Sequence, residues 1–197
     1  MTGHGFRQAE TSADTTGTGR QVAADLVATA GAAGVTVATA ESLTAGLLAA
    51  TVAEIPGASA VLRGGLIVYA TELKHDLAGV DATLLARRGP VDPEVAGQLA
   101  RGTAQRCGAD LGVGVTGVAG PDSQDGHPVG EVWIGVWSAR LDAGVPRVAA
   151  LDDRWQSAAG GTDEAVRSAV RRATVDQALE ELLTAVGALQ PGGACRE

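Results

Sequence analysis

The sequence predicts a layered α/β domain on a mixed sheet, and three observations predict it. Segments of helical period alternate with short β-branched runs along the chain. Apolar residues make up 45% of the 197 and aromatics only 3%, so the core is aliphatic and large enough to stand without disulfides. The last two strand-like runs follow one another across a Gly-containing turn, which makes that pair antiparallel and the sheet mixed.

Each element has its own signal. Residues 1–17 are rich in Thr, Gly and Ser without periodicity and read as a disordered tail. From Gly19 to Ala33, Val22, Ala23, Leu26, Val27 and Ala30 share one helical face, and Gly34 ends the helix. Val35 to Ala40 is a β-branched run that turns at Glu41-Ser42 into a helix from Leu43 to Glu54, which Pro56-Gly57 stops. Val61 to Tyr69 reads as a second strand, with short helices over Thr71 to Leu77 and Asp81 to Arg88. Asp92-Pro93 opens a longer helix with Val95, Ala96, Leu99, Ala100, Thr103, Ala104 and Cys107 on its buried face. Ala109 to Thr116 is the third strand, followed by a loop from Gly117 to Gly130. Glu131 to Ala139 and Val145 to Arg154 form the hairpin around Asp142 to Gly144. A final helix spans about Thr162 to Val186, which places one domain at 18–187 and a disordered tail at 188–197.

Charge and cysteine content exclude several classes. The net charge of −8, with no basic stretch, argues against a nucleic-acid partner. No apolar run nears the ~20 residues of a membrane helix, and the N-terminus lacks the apolar core of a secretory signal, so a cytoplasmic protein is expected. Cys107 and Cys195 have no metal-type spacing, and His127, before Pro128 in a polar loop, is expected in solvent without a second ligand.

One compositional fact points to chemistry. The chain has fourteen Arg but a single Lys, Lys74, and a single Tyr, Tyr69, five positions before it. Where positive charge alone is wanted this protein uses Arg, so a retained Lys suggests an amine that must lose its proton. Ser42, where a strand turns into a helix, would present its hydroxyl at the sheet edge, and a desolvated Lys74 would serve as its base with the Tyr69 hydroxyl relaying or positioning the proton. The bland readings are that Ser42 or Thr44 is an N-cap, that Lys74 is a solvated surface residue and that Tyr69 is edge packing. Gly112-x-Gly114-x-x-Gly117 matches the dinucleotide fingerprint formally, but its glycines lie inside a strand and a loop follows where a helix is required. A Gly-rich loop whose amides approach a ligand, with the Thr116 hydroxyl nearby, is the better reading; a plain strand-end turn is the alternative.

Four segments, Thr39-Ala40-Glu41-Ser42-Leu43-Thr44-Ala45-Gly46, Tyr69-Ala70-Thr71-Glu72-Leu73-Lys74, Thr116-Gly117-Val118-Ala119-Gly120-Pro121-Asp122 and Pro128-Val129-Gly130, carry a family resemblance. In order and spacing they resemble the C-terminal domain of the competence/damage-inducible protein CinA and its stand-alone homologues, the nicotinamide-nucleotide amidohydrolases, from about Gly19 to Val186. No counterpart of that family's amino-terminal molybdopterin-binding-like domain is recognised. The resemblance implies a three-layer α/β/α sandwich with a mixed, mostly parallel sheet. It also implies hydrolysis of nicotinamide mononucleotide (NMN) to nicotinate mononucleotide and ammonia, without metal or organic cofactor. Carried over by motif, Ser42 is the nucleophile, Lys74 its base and Tyr69 their partner. Glu41, Thr44, Gly46, Thr71, Thr116, Gly117, Gly120 and Arg167 are the expected substrate-binding positions. The chain departs from the family where Ala45 replaces a usual Gly, Thr71 a usual Asn, and Gly161-Thr162-Asp163 a usual Gly-Asp-Arg. The expected partners are a small-molecule nucleotide and further copies of the chain, a homo-oligomer with a dimer favoured; neither nucleic acid nor membrane is expected. Two competing readings are a non-catalytic nucleotide-binding or partner module of the same fold, and an amidase for another small amide.

Overall fold

The structure, a computed structural model, describes residues 16–189. The expected tail before Thr16, the residues after Leu189 and Cys195 lie outside the described residues. Its elements in order are helix α1 (Thr16–Ala33), strand β1 (Val37–Glu41), helix α2 (Leu47–Ala53), strand β2 (Leu62–Ile67), helices α3 (Thr71–Asp76), α4 (Ala82–Arg88) and α5 (Pro93–Cys107), strands β3 (Leu111–Gly117), β4 (Val132–Trp137) and β5 (Arg147–Ala150), and helices α6 (Arg154–Ala158) and α7 (Asp163–Leu189). The first and last helices each extend two residues into the segments read as tails, α1 from Thr16 and α7 to Leu189.

The five strands lie in the order β2-β1-β3-β4-β5. β1 pairs parallel with β2 and β3, while β4 pairs antiparallel with both β3 and β5, so four of five strands run one way. The chain steps from β1 outward to β2 through α2, then back over β1 to β3 through α5. Because such crossovers are right-handed, reversing direction puts α2 and α5 on opposite faces of the sheet. That reversal makes the carboxyl edge of β1 and β3 the switch point where ligands of such sheets bind.

The two faces are packed differently. On one, α1, α2 and α7 bury Leu26, Leu48, Leu179 and Leu182 against Val37, Leu111, Val113, Val115 and Ile134 in the main aliphatic core. On the other, α5 lies almost on the backbone of the sheet. A Cβ built on Gly112 would run into the Ala100 carbonyl, and one on Gly114 would come within 2.6 Å of the Ala96 carbonyl oxygen. Two of the three glycines that imitate a nucleotide fingerprint therefore seat a helix, and the third, Gly117, lies against Glu131 and Val132. Asp92 caps α5, its carboxylate accepting from the Glu94 amide at 2.7 Å, with Pro93 in the first turn and Gly108 at φ 61° closing it.

The last expected strand is shortened. After Ala150 one more bond to β4 follows, from the Leu151 amide to the Val132 carbonyl at 2.9 Å, while the side chain of Gln177 holds the other edge, donating to the Ala150 carbonyl at 2.9 Å and accepting from the Asp152 amide at 3.0 Å. Arg154 then reaches Glu180 on α7, and the chain coils into α6, a helix the periodicity does not predict and of which only Arg154 falls in the expected strand. No helix among the described residues is long and apolar enough to cross a membrane.

Candidate active site

The site begins with a buried carboxylate. Glu41, 1% exposed at the end of β1, accepts hydrogen bonds from the amides of Gly46, Leu48 and Ala49 at 2.8, 3.1 and 2.8 Å and from the Thr39 hydroxyl at 3.2 Å. A buried carboxylate is stable when donors surround it, and here they are the free amides at the start of α2. Helix α2 consequently starts at Leu47, four residues later than the periodicity predicts, and residues 43–46 form a tight turn. Ala45 at φ 51° and Gly46 at φ 96° are both left-handed there, which for Ala45 costs roughly 1 kcal/mol. The family's usual Gly at that position has this backbone reason.

With Glu41 holding the helix, neither Ser42 nor Thr44 is its cap. Thr44 Oγ1 is buried without a partner, and Ser42 faces elsewhere. Lys74 Nζ donates to Ser42 Oγ at 3.1 Å, to the Val68 carbonyl at 2.8 Å and to the Tyr69 carbonyl at 3.4 Å. Lys74 is 1% exposed, and burial pushes its amine down from 10.5 to about 8, partly countered by Glu72. The solvated-surface reading of Lys74 is thereby excluded. When the amine is neutral, the two carbonyls hold its two N–H bonds and the lone pair is left for the Ser42 hydroxyl proton.

A cleft of about 130 Å³ opens over this pair. Of the expected positions, Ser42, Tyr69, Thr71, Lys74, Thr116, Gly117, Gly120 and Arg167 line it. They arrive from the ends of β1, β2 and β3, which are adjacent and parallel, from α3 and from the first turns of α7. The Thr116 hydroxyl donates to the Pro90 carbonyl at 2.6 Å and fixes the segment before α5 as one wall. Arg167 crosses the mouth, donating to the Gly120 carbonyl at 2.6 Å and the Tyr69 hydroxyl at 2.9 Å.

Several expectations need correction. Glu41, Thr44 and Gly46 do not line the cleft; they lie behind the turn, where Glu41 binds the Gly46 amide. The Tyr69 hydroxyl meets Arg167 and neither Ser42 nor Lys74, and its ring is 56% exposed at the rim. What Tyr69 gives the Ser–Lys pair is its carbonyl. His127 is part-buried rather than in solvent, its Nδ1 lying 2.9 Å from a Glu131 carboxylate oxygen. Asp163 is exposed at the start of α7 and does not line the cleft.

The sequence reading missed Val91, Asp122 and Gln124 in the lining, and it missed Arg171, whose guanidinium donates to the carbonyls of Leu43 and Thr44, each at 2.9 Å. The available signal for Arg171 was its place one helical turn after Arg167 on the same face. Asp122 and Gln124 sit in a loop whose path no periodicity sets.

Fold and site together define a class: an α/β domain that presents a serine, hydrogen-bonded to a buried lysine, at the carboxyl edge of its parallel strands. Over residues 19–186 the sequence matches the model of the CinA C-terminal domain, and the chain belongs to that family. It is 44% identical over 101 residues to a putative competence-damage inducible protein of Listeria welshimeri, covering 51% of this chain and 24% of that one. It is 46% identical over 121 residues to a CinA-like protein of Frankia casuarinae, covering 57% and 28%. The chain thus spans about a quarter of the length of these relatives. Among solved structures it resembles the competence/damage inducible protein CihA of Agrobacterium tumefaciens, with a TM-score of 0.74, 32% identity, and coverage of 86% of this chain and 95% of that one. A CinA superfamily protein of Klebsiella pneumoniae has the same fold at a TM-score of 0.74 and 24% identity, over 86% and 98%.

Proposed function

We propose that the chain is an amidohydrolase that converts NMN and water to nicotinate mononucleotide and ammonia, with Ser42 as nucleophile and Lys74 as general base. The observation that carries this reading is the 3.1 Å hydrogen bond from a buried amine, lowered to about 8, to the serine hydroxyl. The neutral amine takes the Ser42 proton as Oγ attacks the carboxamide carbon. The resulting ammonium returns a proton to the leaving nitrogen, the C–N bond breaks, and ammonia departs from a Ser42 ester. Water, deprotonated by the same amine, then attacks the ester, the acyl C–Oγ bond breaks as Lys74 returns that proton to Ser42 Oγ, and the acid is released.

The remainder of the cleft fits a nucleotide bound by one end. Its 130 Å³ suits the amide-bearing head alone, below the ~300 Å³ at which sites begin to enclose a whole drug-sized ligand. The ribose phosphate then lies outward at Arg167, which no carboxylate among the described residues engages. Tyr69 frames that mouth and orients Arg167.

Ammonia released from NMN by the purified protein, matched mole for mole by nicotinate mononucleotide, is the expected result. NMN that binds in calorimetry but yields no ammonia between about pH 6 and 9 overturns the enzyme and leaves a nucleotide-binding module. Ammonia from another small amide but not from NMN keeps the Ser–Lys chemistry and changes the substrate.

A further inference from the structure

The serine lies on a turn held from within by Glu41 and local amides and from outside by a distant side chain. Peptide units are planar and trans, so each carbonyl faces opposite to the N–H of the next residue. In the turn after Ser42, the Ser42 carbonyl accepts from the Ala45 amide at 3.1 Å. The Leu43 and Thr44 carbonyls accept from Arg171 Nε and Nη2, each at 2.9 Å, across 128 and 127 residues of sequence, and the Thr44 carbonyl also accepts from the Leu47 amide at 3.1 Å. The Leu43 amide therefore faces away from the Ser42 carbonyl and the Thr44 amide away from the Leu43 carbonyl, and among the described residues neither donates to a protein acceptor. Leu43 itself lines the cleft beside Ser42. The guanidinium is part-buried, and its two contacts match the planar fork that only Arg offers.

From this geometry we propose that Arg171 is a positioning residue: by clamping the Leu43 and Thr44 carbonyls to α7 it fixes the turn that carries Ser42 and aims its amides, and so sets the reactivity of the serine. The proposal rests on the reading of Ser42 as a nucleophile. It accounts for a turn kept in order despite a left-handed Ala45 and an unpartnered Thr44 hydroxyl. It also makes α7 the common anchor of the site, since Arg167, one turn earlier, holds the Gly120 loop and Tyr69.

The test uses a probe that owes nothing to NMN. A fluorophosphonate is attacked by a reactive serine hydroxyl: the O–P bond forms, the P–F bond breaks, fluoride leaves and the proton passes to Lys74. The wild-type protein should be labelled at Ser42. Arg171→Met should be labelled on the order of 10- to 100-fold more slowly, as expected when a reacting group is misplaced by a fraction of an ångström to an ångström. Arg171→Lys, which retains charge but spans only one carbonyl, should fall between. Both should keep the wild-type pH midpoint of labelling and melt near the wild type, and NMN turnover should lose kcat with KM held within about twofold. Added guanidinium should restore part of the labelling rate to Arg171→Ala. Equal labelling of wild type and Arg171→Met overturns the proposal while leaving the nucleophile intact. So does a loss seen only in melting temperature or only in KM. If Arg171→Met does not fold, Arg171→Lys decides alone, and wild-type labelling by that variant overturns the proposal. A wild-type protein that is not labelled overturns the nucleophile and this inference together.

Discussion

Glu41 and Ser42 are adjacent in sequence, and their side chains part at the end of β1 to do separate work. The carboxylate enters the first turn of α2 and accepts three of its amides, while the hydroxyl meets Lys74 from α3 at 3.1 Å. One residue satisfies the helix and so leaves the next free of the capping role that serines often fill.

Ser42→Ala should lower NMN turnover by several orders of magnitude with little loss of ligand affinity, because the hydroxyl acts on the transition state. The melting temperature should stay near the wild type, since no amide loses its acceptor. Parallel turnover and calorimetric measurements check this, and a fall in melting temperature alone would return Ser42 to a structural role.

Glu41→Ala should destabilise the domain by about 2–4 kcal/mol, because it strands buried amides that the carboxylate now accepts. Denaturant unfolding measures the loss. An unchanged midpoint would mean that water or another group serves those amides equally well.

Lys74→Arg should abolish turnover, since a guanidinium stays protonated where an amine must lose its proton. In the wild type, the rate should rise with pH through about 8 as the buried ammonium deprotonates. A pH–rate profile that is flat from about pH 6 to 9, or an active Arg variant, would reduce Lys74 to a fixed charge.

The same residue should be a stability liability below that pH. Its folded value, about 8, lies below the unfolded 10.5, so the unfolded chain binds the proton more tightly. The destabilisation is complete below about pH 8, shrinks as pH rises toward 10.5 and vanishes above it. Lys74→Met should therefore be more stable than the wild type at pH 7, by roughly 3 kcal/mol at most, with the gap closing at alkaline pH. Unfolding curves of both proteins across that range test the sign.

Gly114→Ala should cost well over 2 kcal/mol or prevent folding, because its methyl would meet the Leu99 side chain and the α5 backbone. A nucleotide cofactor should neither bind at this glycine nor rescue the variant. Tolerance of the Ala measured by thermal unfolding would show that α5 can lift off the sheet.

Sequence pattern made most of the elements legible where local physics was unopposed. Asp92-Pro93 and Gly108 delimit α5 by capping and φ alone, and the uniqueness of Lys74 pointed to chemistry before any contact was known. Where a distant side chain intervened, periodicity misled. Glu41 delayed the start of α2, and Gln177 from α7 holds the edge of β5 where the strand gives out, although nothing within either segment announces it.

By itself, then, the sequence determined the order and kind of every element but α6 and singled out Ser42 and Lys74 as candidates, because helical and strand periods, caps and residue chemistry are local properties. Only the tertiary structure decided that Glu41, Thr44 and Gly46 stand behind the cleft, that the Tyr69 hydroxyl belongs to Arg167, and that Arg171 grips the Ser42 turn. Those facts depend on which side of a turn a side chain leaves and which helix lies across it. Contacts spanning up to 128 residues are set by the crossover geometry of the sheet and the packing of α7 against it, neither of which any short window of sequence contains.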